Sequence, residues 1–353
     1  MFRVSDISRR SAIVALVPSV GAAVAHLTGR PAIPSSDQGD HQHGPAHTAG
    51  SAHAGFRSGT HVDNGKNGFH PTTLIRDFDR GKTSLLADGR TLREWTLVAR
   101  EKEIEVAPGV TFPAWTYNGR IPGPTLRATE GERLRITLVN HSAHAHTIHF
   151  HGLHAAQVDG TAGIGPGLVQ PGGQTVYEFD AEPFGLHLYH CHVTPLAHHI
   201  AKGLYGVFLI DPKEARAEAD ELVMVMNGFD TNFDRANELY AVNTIPFVYM
   251  SDPVRVTVGE LVRIYLVNVL EYDLVNSFHV HGNFFDWYPT GTSMSPAEHT
   301  DTVMLCQGQR GILEITFPRE GRFMFHAHQS EFAELGWMGF FEAGCGPACE
   351  KSG

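Results

Sequence analysis

Four His-x-His pairs stand at matched positions along the chain: His149/His151, His190/His192, His279/His281 and His326/His328. On a β-strand, residues i and i+2 project from the same face, so each pair presents two imidazoles side by side. One such pair is weak evidence, because packing explains most of them. Four pairs without accompanying carboxylate ligands suit copper or zinc. Cys191 narrows the choice. It lies between His190 and His192, so its thiolate points to the opposite face from both imidazoles. His146 lies three residues before His149, and that odd spacing places it opposite His149 and His151. His146 and Cys191 can therefore meet on one side of a sheet while the paired histidines meet on the other. Downstream, His199 comes four residues before Gly203, with Leu204 next. Two histidines, a cysteine and a weak or absent axial ligand form the donor set of a blue copper centre. One strand would then carry ligands of two centres, with Cys191 as the covalent bridge.

The elements that must position these residues repeat. Gly131–Asn140 (GERLRITLVN) recurs as Gly259–Asn268 (GELVRIYLVN), and each copy is followed shortly by a His-x-His-Gly. Gly185–His192 (GLHLYHCH) corresponds to Gly321–His328 (GRFMFHAH), and Gly203–Gly206 to Gly336–Gly339. Leu92–Val106, Arg133–Val139, Gln174–Phe179 and His187–Cys191 read as strands. So do Leu222–Met226, Val254–Val258, Val262–Val267, Ile312–Phe317 and Phe323–His326. Many short strands with almost no helical periodicity predict an all-β chain of two homologous β-sandwich domains. Their expected ranges are 76–212 and 213–345, with the boundary near Asp211-Pro212.

The ends differ in texture. Ser8-Arg9-Arg10-Ser11 precedes an apolar run from Ala12 to Ala25, interrupted by Pro18 and ending in Ala23-Val24-Ala25. Residues 1–25 thus read as an export signal of twin-arginine type, which predicts a periplasmic or extracellular location. Residues 26–75, rich in His, Gly and Ala, read as a flexible linker. His41, His43, His47, His53 and His61 leave open a second role as a metal-collecting arm. Cys345 and Cys349, beside a short tail at 346–353, suit a local disulfide or a copper site. Cys306 is expected to be a buried thiol. No apolar anchor is expected after Cys349. A net charge of −11, from 38 acidic residues against 27 Lys and Arg, argues against nucleic acid as a partner.

The motifs resemble those of multicopper oxidases over roughly residues 92–343. His146-x-x-His149-x-His151-Gly152 looks like that family's loop holding one blue-copper and two cluster histidines. His190-Cys191-His192, followed by His199 and Leu204, is similar to its terminal motif. Tyr117–Thr125, Gln157-Val158-Asp159-Gly160, Gln170–Gly173 and Asp301–Val303 also have counterparts there. The resemblance implies two tandem cupredoxin-like Greek-key domains and four coppers per protomer. His146, Cys191 and His199 would hold type 1 copper, with Leu204 at the non-binding axial position. His149 and His279 would hold type 2 copper. His151, His190, His192, His281, His326 and His328 would hold the type 3 pair. His199 lies eight positions after Cys191, further than in three-domain laccases, so His198 stands as a neighbouring alternative.

The second domain lacks the blue-copper residues: Asn276, Ala327 and Trp337 stand opposite His146, Cys191 and Leu204. That matches two-domain members whose sole type 1 copper is N-terminal, called type C, which form homotrimers sharing each cluster between subunits. The implied activity is one-electron oxidation of a reductant coupled to four-electron reduction of dioxygen to water. The reductant stays open among phenols, cuprous or manganous ion and small redox proteins. Asp159 and Glu331 are the acids nearest the motifs. Asp159 suits a proton relay or a loop cap; Glu331 suits a structural role better. Copper nitrite reductase, with one type 2 copper, is the related alternative, but its catalytic aspartate would sit where His149 is. Its cysteine also lacks the following histidine, here His192. A non-catalytic copper-binding or resistance protein is the alternative from another class, and it has no need of Cys191 between two cluster histidines.

Overall fold

The computed structural model describes residues 62–345. The expected export signal, the arm from His41 to His61, Cys349 and the tail at 346–353 lie outside the described residues. Among those described, no helix is long and apolar enough to cross a membrane.

Each half of the chain is a pair of sheets. In the first half, one sheet runs in the order Phe78–Asp79, Thr125–Thr129, Tyr205–Asp211, Gly185–His190 and His149–Phe150. The other contains Lys82–Leu85, Thr91–Ala107, Arg133–Asn140 and Gln174–Asp180, with Val110–Tyr117 paired to the second of these. Alternation drives the packing: Arg133–Asn140 buries every second residue, and Leu134, Ile136 and Leu138 are fully enclosed between the sheets. The second half repeats this plan. Leu261–Asn268 lies between a parallel neighbour, Asp220–Phe229, and an antiparallel one, Arg310–Thr316. Arg133–Asn140 has the same two kinds of neighbour. The two repeated decapeptides therefore occupy equivalent central strands. The fold is cupredoxin-like, all-β and duplicated.

The repeated asparagines explain part of the sequence match. Asn140 donates from Nδ2 to the carbonyls of His144 and Val169 and accepts from the Ser142 N–H. Asn268 likewise accepts from the Leu270 N–H and donates to the Leu305 carbonyl. Each buried amide ties the end of its strand to the loop that leads to a His-x-His pair.

The domains meet through a third apolar cluster, which includes Phe112, Ile121, Leu188 and Val207 from the first and Val223, Phe229, Tyr265 and Val269 from the second. The flexible linker expected at 26–75 extends too far at its C-terminal end. Asn64–Asn67 and Pro71–Leu74 are short helices, and Val62, Phe69, Leu74 and Ile75 are buried. Asn67 exchanges two 2.9 Å hydrogen bonds with the backbone of Glu105, and Val223 N–H donates to the Ile75 carbonyl at 2.7 Å. Single-turn helices are too short to show a hydrophobic period, so the segment looks like linker in sequence.

Candidate metal centres

Cys191 follows the strand Gly185–His190 directly, and its side chain points into the first domain's core, with no exposed surface. His146 and His199 converge on it there: their Nδ1 atoms lie 3.8 and 3.3 Å from Sγ. All three donor atoms lie within 4.8 Å of one another and all three residues are buried. His199 sits on the helix Leu196–Ala201, where successive side chains diverge by about 100°. That divergence turns His199 inward and leaves His198 exposed, edge-on to Trp115 at 5.1 Å and outside the donor group. Leu204 is fully buried, and its carbonyl accepts from the Cys191 N–H at 3.0 Å.

The tautomer of His146 follows from its neighbour. Ser142 spends its only hydroxyl proton on the His144 carbonyl, 3.0 Å away, so it must accept from His146 Nε2–H at 2.7 Å. The lone pair of Nδ1 then faces the thiol. Burial lowers His146 to about 3 and His199 to about 4, so both rings are neutral at neutral pH. Burial also pushes the Cys191 thiol up, although Thr147 donates its N–H to Sγ at 3.5 Å. A bound cation would reverse that shift. Two neutral imidazole nitrogens and one sulfur in a dry pocket fit copper.

On the other face of the sheet, the strand register sets the paired histidines against each other: His149 is the Cα partner of His190. His149, His151 and His190 form a second donor group, with Nε2 of His151 and His190 only 2.8 Å apart. The His192 ring lies 5.3 Å from His149 and 5.8 Å from His190. In the second domain, His279 is the partner of His326, and His279, His281 and His326 form the matching group. His328 stands 5.4 Å from His279. The supporting bonds repeat as well. His149 Nδ1 faces the Asp159 carbonyl at 3.0 Å, and His279 Nδ1 faces the Asp301 carbonyl at 3.0 Å. His190 Nδ1 faces the Cys191 carbonyl, and His326 Nδ1 that of Ala327. A carbonyl can only accept, so each Nδ1 carries the proton and each Nε2 lone pair points toward the site. Eight imidazoles, four of them oriented through Nδ1 in this way, also fit copper.

No donor group mixes the two domains among the described residues. The first-domain set instead lines a cavity of about 300 Å³ whose other wall includes Val269, Glu271, Gln307 and Gly308.

Asp159 reaches His149: Oδ1 lies 3.3 Å from Nδ1, and Thr161 donates to Oδ2 at 2.6 Å. The Thr161 hydroxyl holds this carboxyl below its usual range, against a small desolvation and with help from the nearby histidines. Gly160 makes the approach feasible, since at φ +76° a Cβ there would lie 1.9 Å from the Ile148 carbonyl oxygen. Glu331 is exposed on the helix Ser330–Glu334 and belongs to none of the donor groups. Cys306, expected to be buried, is exposed at the end of the strand Thr302–Cys306, where alternation turns its side chain outward. Cys345 is disulfide-bonded.

Sequence reasoning missed Ser142, Trp115 and His154. Trp115 packs among four imidazoles, tilted against His144 at 4.4 Å and edge-on to His199, His198 and His146 at 4.8, 5.1 and 5.4 Å. His154 lies behind His149, ring to ring at 5.4 Å. Ser142 had a signal, its place two residues past the repeated asparagine; Trp115 had none.

Two family profiles described as multicopper oxidase match residues 98–215 and 218–344. The chain belongs to the multicopper oxidase family. Copper is therefore the metal that its family membership supports. A solved multicopper oxidase is 63% identical, with a TM-score of 0.79, and the match covers 80% of this chain and 100% of that one. The copper-containing nitrite reductase of Neisseria meningitidis serogroup A is 29% identical over 248 residues, 65% of this chain and 63% of that protein. Laccase 1 of Metarhizium acridum is 41% identical over 102 residues, 28% of this chain and 16% of that protein. The chain of this multicopper oxidase thus spans about 63% of the length of that nitrite reductase.

Proposed function

We propose that this protein is a copper oxidase that withdraws electrons singly from a phenol-like or metal-ion reductant and delivers four to dioxygen, yielding two waters. What carries the reading is the second-domain set. His279, His281, His326 and His328 reproduce the spacing of His149, His151, His190 and His192, and the His279–His326 register and Nδ1 supports match those of His149 and His190. Nitrite reduction at one three-histidine site would leave much of this duplicated set without a purpose. The laccase likeness points the same way.

In this reading His146, Cys191 and His199 hold type 1 copper, with Leu204 beside it as a non-binding axial group. His149 and His279 hold type 2 copper, and His151, His190, His192, His281, His326 and His328 hold the type 3 pair, four coppers in all. Bound copper would supply one-electron transfer at the first centre and reduction of dioxygen at the second. The chain's own residues do the rest. Cys191 is flanked by His190 and His192, so covalent bonds alone join the two centres. An open cavity of about 890 Å³, lined by Trp115, His144, His198 and His199, admits a reductant to the His199 edge. Asp159 holds the His149 tautomer and stays ionised.

The second-domain set needs a covering surface. His281 and His328 are exposed there, and Leu274 and Met304 nearby are 89% and 69% exposed. A second copy contributing its first-domain set would bury them, and a homotrimer closes such a head-to-tail contact. Oxygen uptake with a phenol donor, run beside nitrite consumption with the same donor, tests the function. Uptake of dioxygen with no nitrite loss is expected; the opposite pattern would replace this reading with nitrite reductase.

A further inference from the structure

Resting on the oxygen-reducing reading above, we propose that Glu271 of the second domain is the carboxyl that holds and supplies protons to the first-domain histidine set. It does so across the cavity between them. Glu271 and Gln307 stand on one wall of that 300 Å³ space, and His149, His151, His190 and His192 on the other. A volume of that order holds several waters, enough to connect the carboxyl with the imidazoles.

The loop that carries Glu271 is fixed at its backbone, and its carboxyl is held by a neutral partner rather than a cation. It leaves the strand Leu261–Asn268, and Leu270 N–H donates to Asn268 Oδ1 at 3.1 Å. Asn237 Nδ2 donates to the Glu271 carbonyl at 2.7 Å and to Asp273 Oδ2 at 2.8 Å. Among the described residues no Lys or Arg forms an ion pair with Glu271. Its carboxyl is hydrogen-bonded to the Gln307 side chain, yet burial still raises its pKa to about 6. A carboxyl partly buried without a cation exchanges its proton closer to neutrality than a free one does.

The groups facing it are few. Across the cavity stand the four imidazoles, and Leu188, Leu196 and Ile200 complete the wall without charge. Tyr272 is its neighbour on the loop. Arg310 is committed to backbone carbonyls, its Nε donating to Leu186 at 2.8 Å and its Nη1 to Gly308 at 3.4 Å, and its charge bears on His151 and His187. The two acids singled out by sequence serve differently. Asp159 is held ionised, and Glu331 lies exposed on its helix.

The balance is simple. One dioxygen takes four electrons from four reductant molecules and four protons from solvent, and leaves as two waters. Each proton breaks an O–H bond at Glu271 and is replaced from solvent, so the carboxyl is unchanged over a cycle. Glu271 acts through water and is a positioning residue.

The test is Glu271→Gln in the full chain, which keeps the side-chain shape. In copper-free wild type, infrared spectra should show a carboxyl band titrating near neutral pH that Glu271→Gln lacks; no such band overturns the proposal. In copper-loaded protein, the variant should keep its copper content, its blue absorption and its rate of anaerobic bleaching by a phenol. Recovery of the blue colour under dioxygen should slow by roughly tenfold or more. Wild-type recovery should also slow as pH rises and Glu271 loses its proton, a dependence that Glu271→Gln abolishes and Glu271→Asp retains. Unchanged recovery and pH profile in Glu271→Gln, beside a wild type that does recover, overturn this inference alone. A wild type that never recovers under dioxygen overturns the oxygen-reducing reading and this inference with it.

Discussion

Ser142 donates to the His144 carbonyl and accepts from His146, and this short chain of bonds aims one lone pair at Cys191. Removing the hydroxyl frees His146 to rotate or change tautomer. Outer partners of this kind typically contribute about 10–100-fold in metal affinity. Ser142→Ala should therefore keep the blue absorption at saturating copper but need correspondingly more copper to reach it, as a competition titration would read. Equal affinity would mean that packing by Trp115, 5.4 Å from His146, orients the ring alone. Cys191→Ser is the harsher change: it should abolish the thiolate-to-copper absorption while the paired histidines still take up metal, so a blue variant would contradict the type 1 assignment. At this scale most of the site was legible. Period-two spacing put Cys191 and His146 opposite the paired histidines, and the structure brings them together. Ser142 and Trp115 were not legible, because their roles depend on loop paths that no spacing rule encodes.

The elements that present these side chains are strands whose register was implied by repetition, and the seam between domains adds a charged joint to that pattern. Arg127, on the strand Thr125–Thr129, binds both oxygens of Asp211 at 2.8 Å. It also binds both oxygens of Glu221, at 2.6 and 3.0 Å, where the second domain begins. Its side chain is only 9% exposed. Arg127→Met would leave Asp211 to Arg80 at 3.8 Å and Glu221 to Arg263 at 3.6 Å, both longer pairings; breaking a buried pair typically costs up to about 3–5 kcal/mol. The urea midpoint should fall accordingly. The joint should also loosen in acid. Burial pushes Glu221 up, but its bonds to Arg127 and Tyr265 outweigh burial and hold it below the usual carboxylate value. A carboxyl depressed in the fold contributes stability above its unfolded pKa and loses it as pH falls through the folded one. Wild-type stability should thus decline below about pH 4, with a shallower decline in Arg127→Met; equal slopes would exclude this joint as the cause. Nothing in the sequence marked Arg127, since its partners lie 84 and 94 residues away. The same distance effect hid the ordered segment at 62–75, whose partners include Glu105, Val223 and Tyr249.

At the scale of the whole molecule, the two histidine sets are built alike, but among the described residues no donor group joins them within one chain. Either each set works alone, or each completes its partner in another subunit. Two disabled proteins can tell these apart. One carries His149→Ala with His151→Ala, so its first-domain set is broken. The other carries His326→Ala with His328→Ala, so its second-domain set is broken. Both should keep the blue colour, because His146, Cys191 and His199 are untouched, and both should be inactive toward dioxygen alone. In a head-to-tail ring each shared site uses the first domain of one subunit and the second domain of the next. Random co-assembly in equal amounts then leaves an intact junction at roughly a quarter of the sites, whatever the ring size. Co-expressed variants should accordingly recover about a quarter of wild-type oxygen uptake, while mixing already assembled rings should recover none until subunits exchange. Light scattering of the wild type should give a mass of three chains, which fixes the ring size that complementation leaves open. No recovery in co-assembled rings would mean that each site lies within a single chain, and the shared cluster would have to be abandoned.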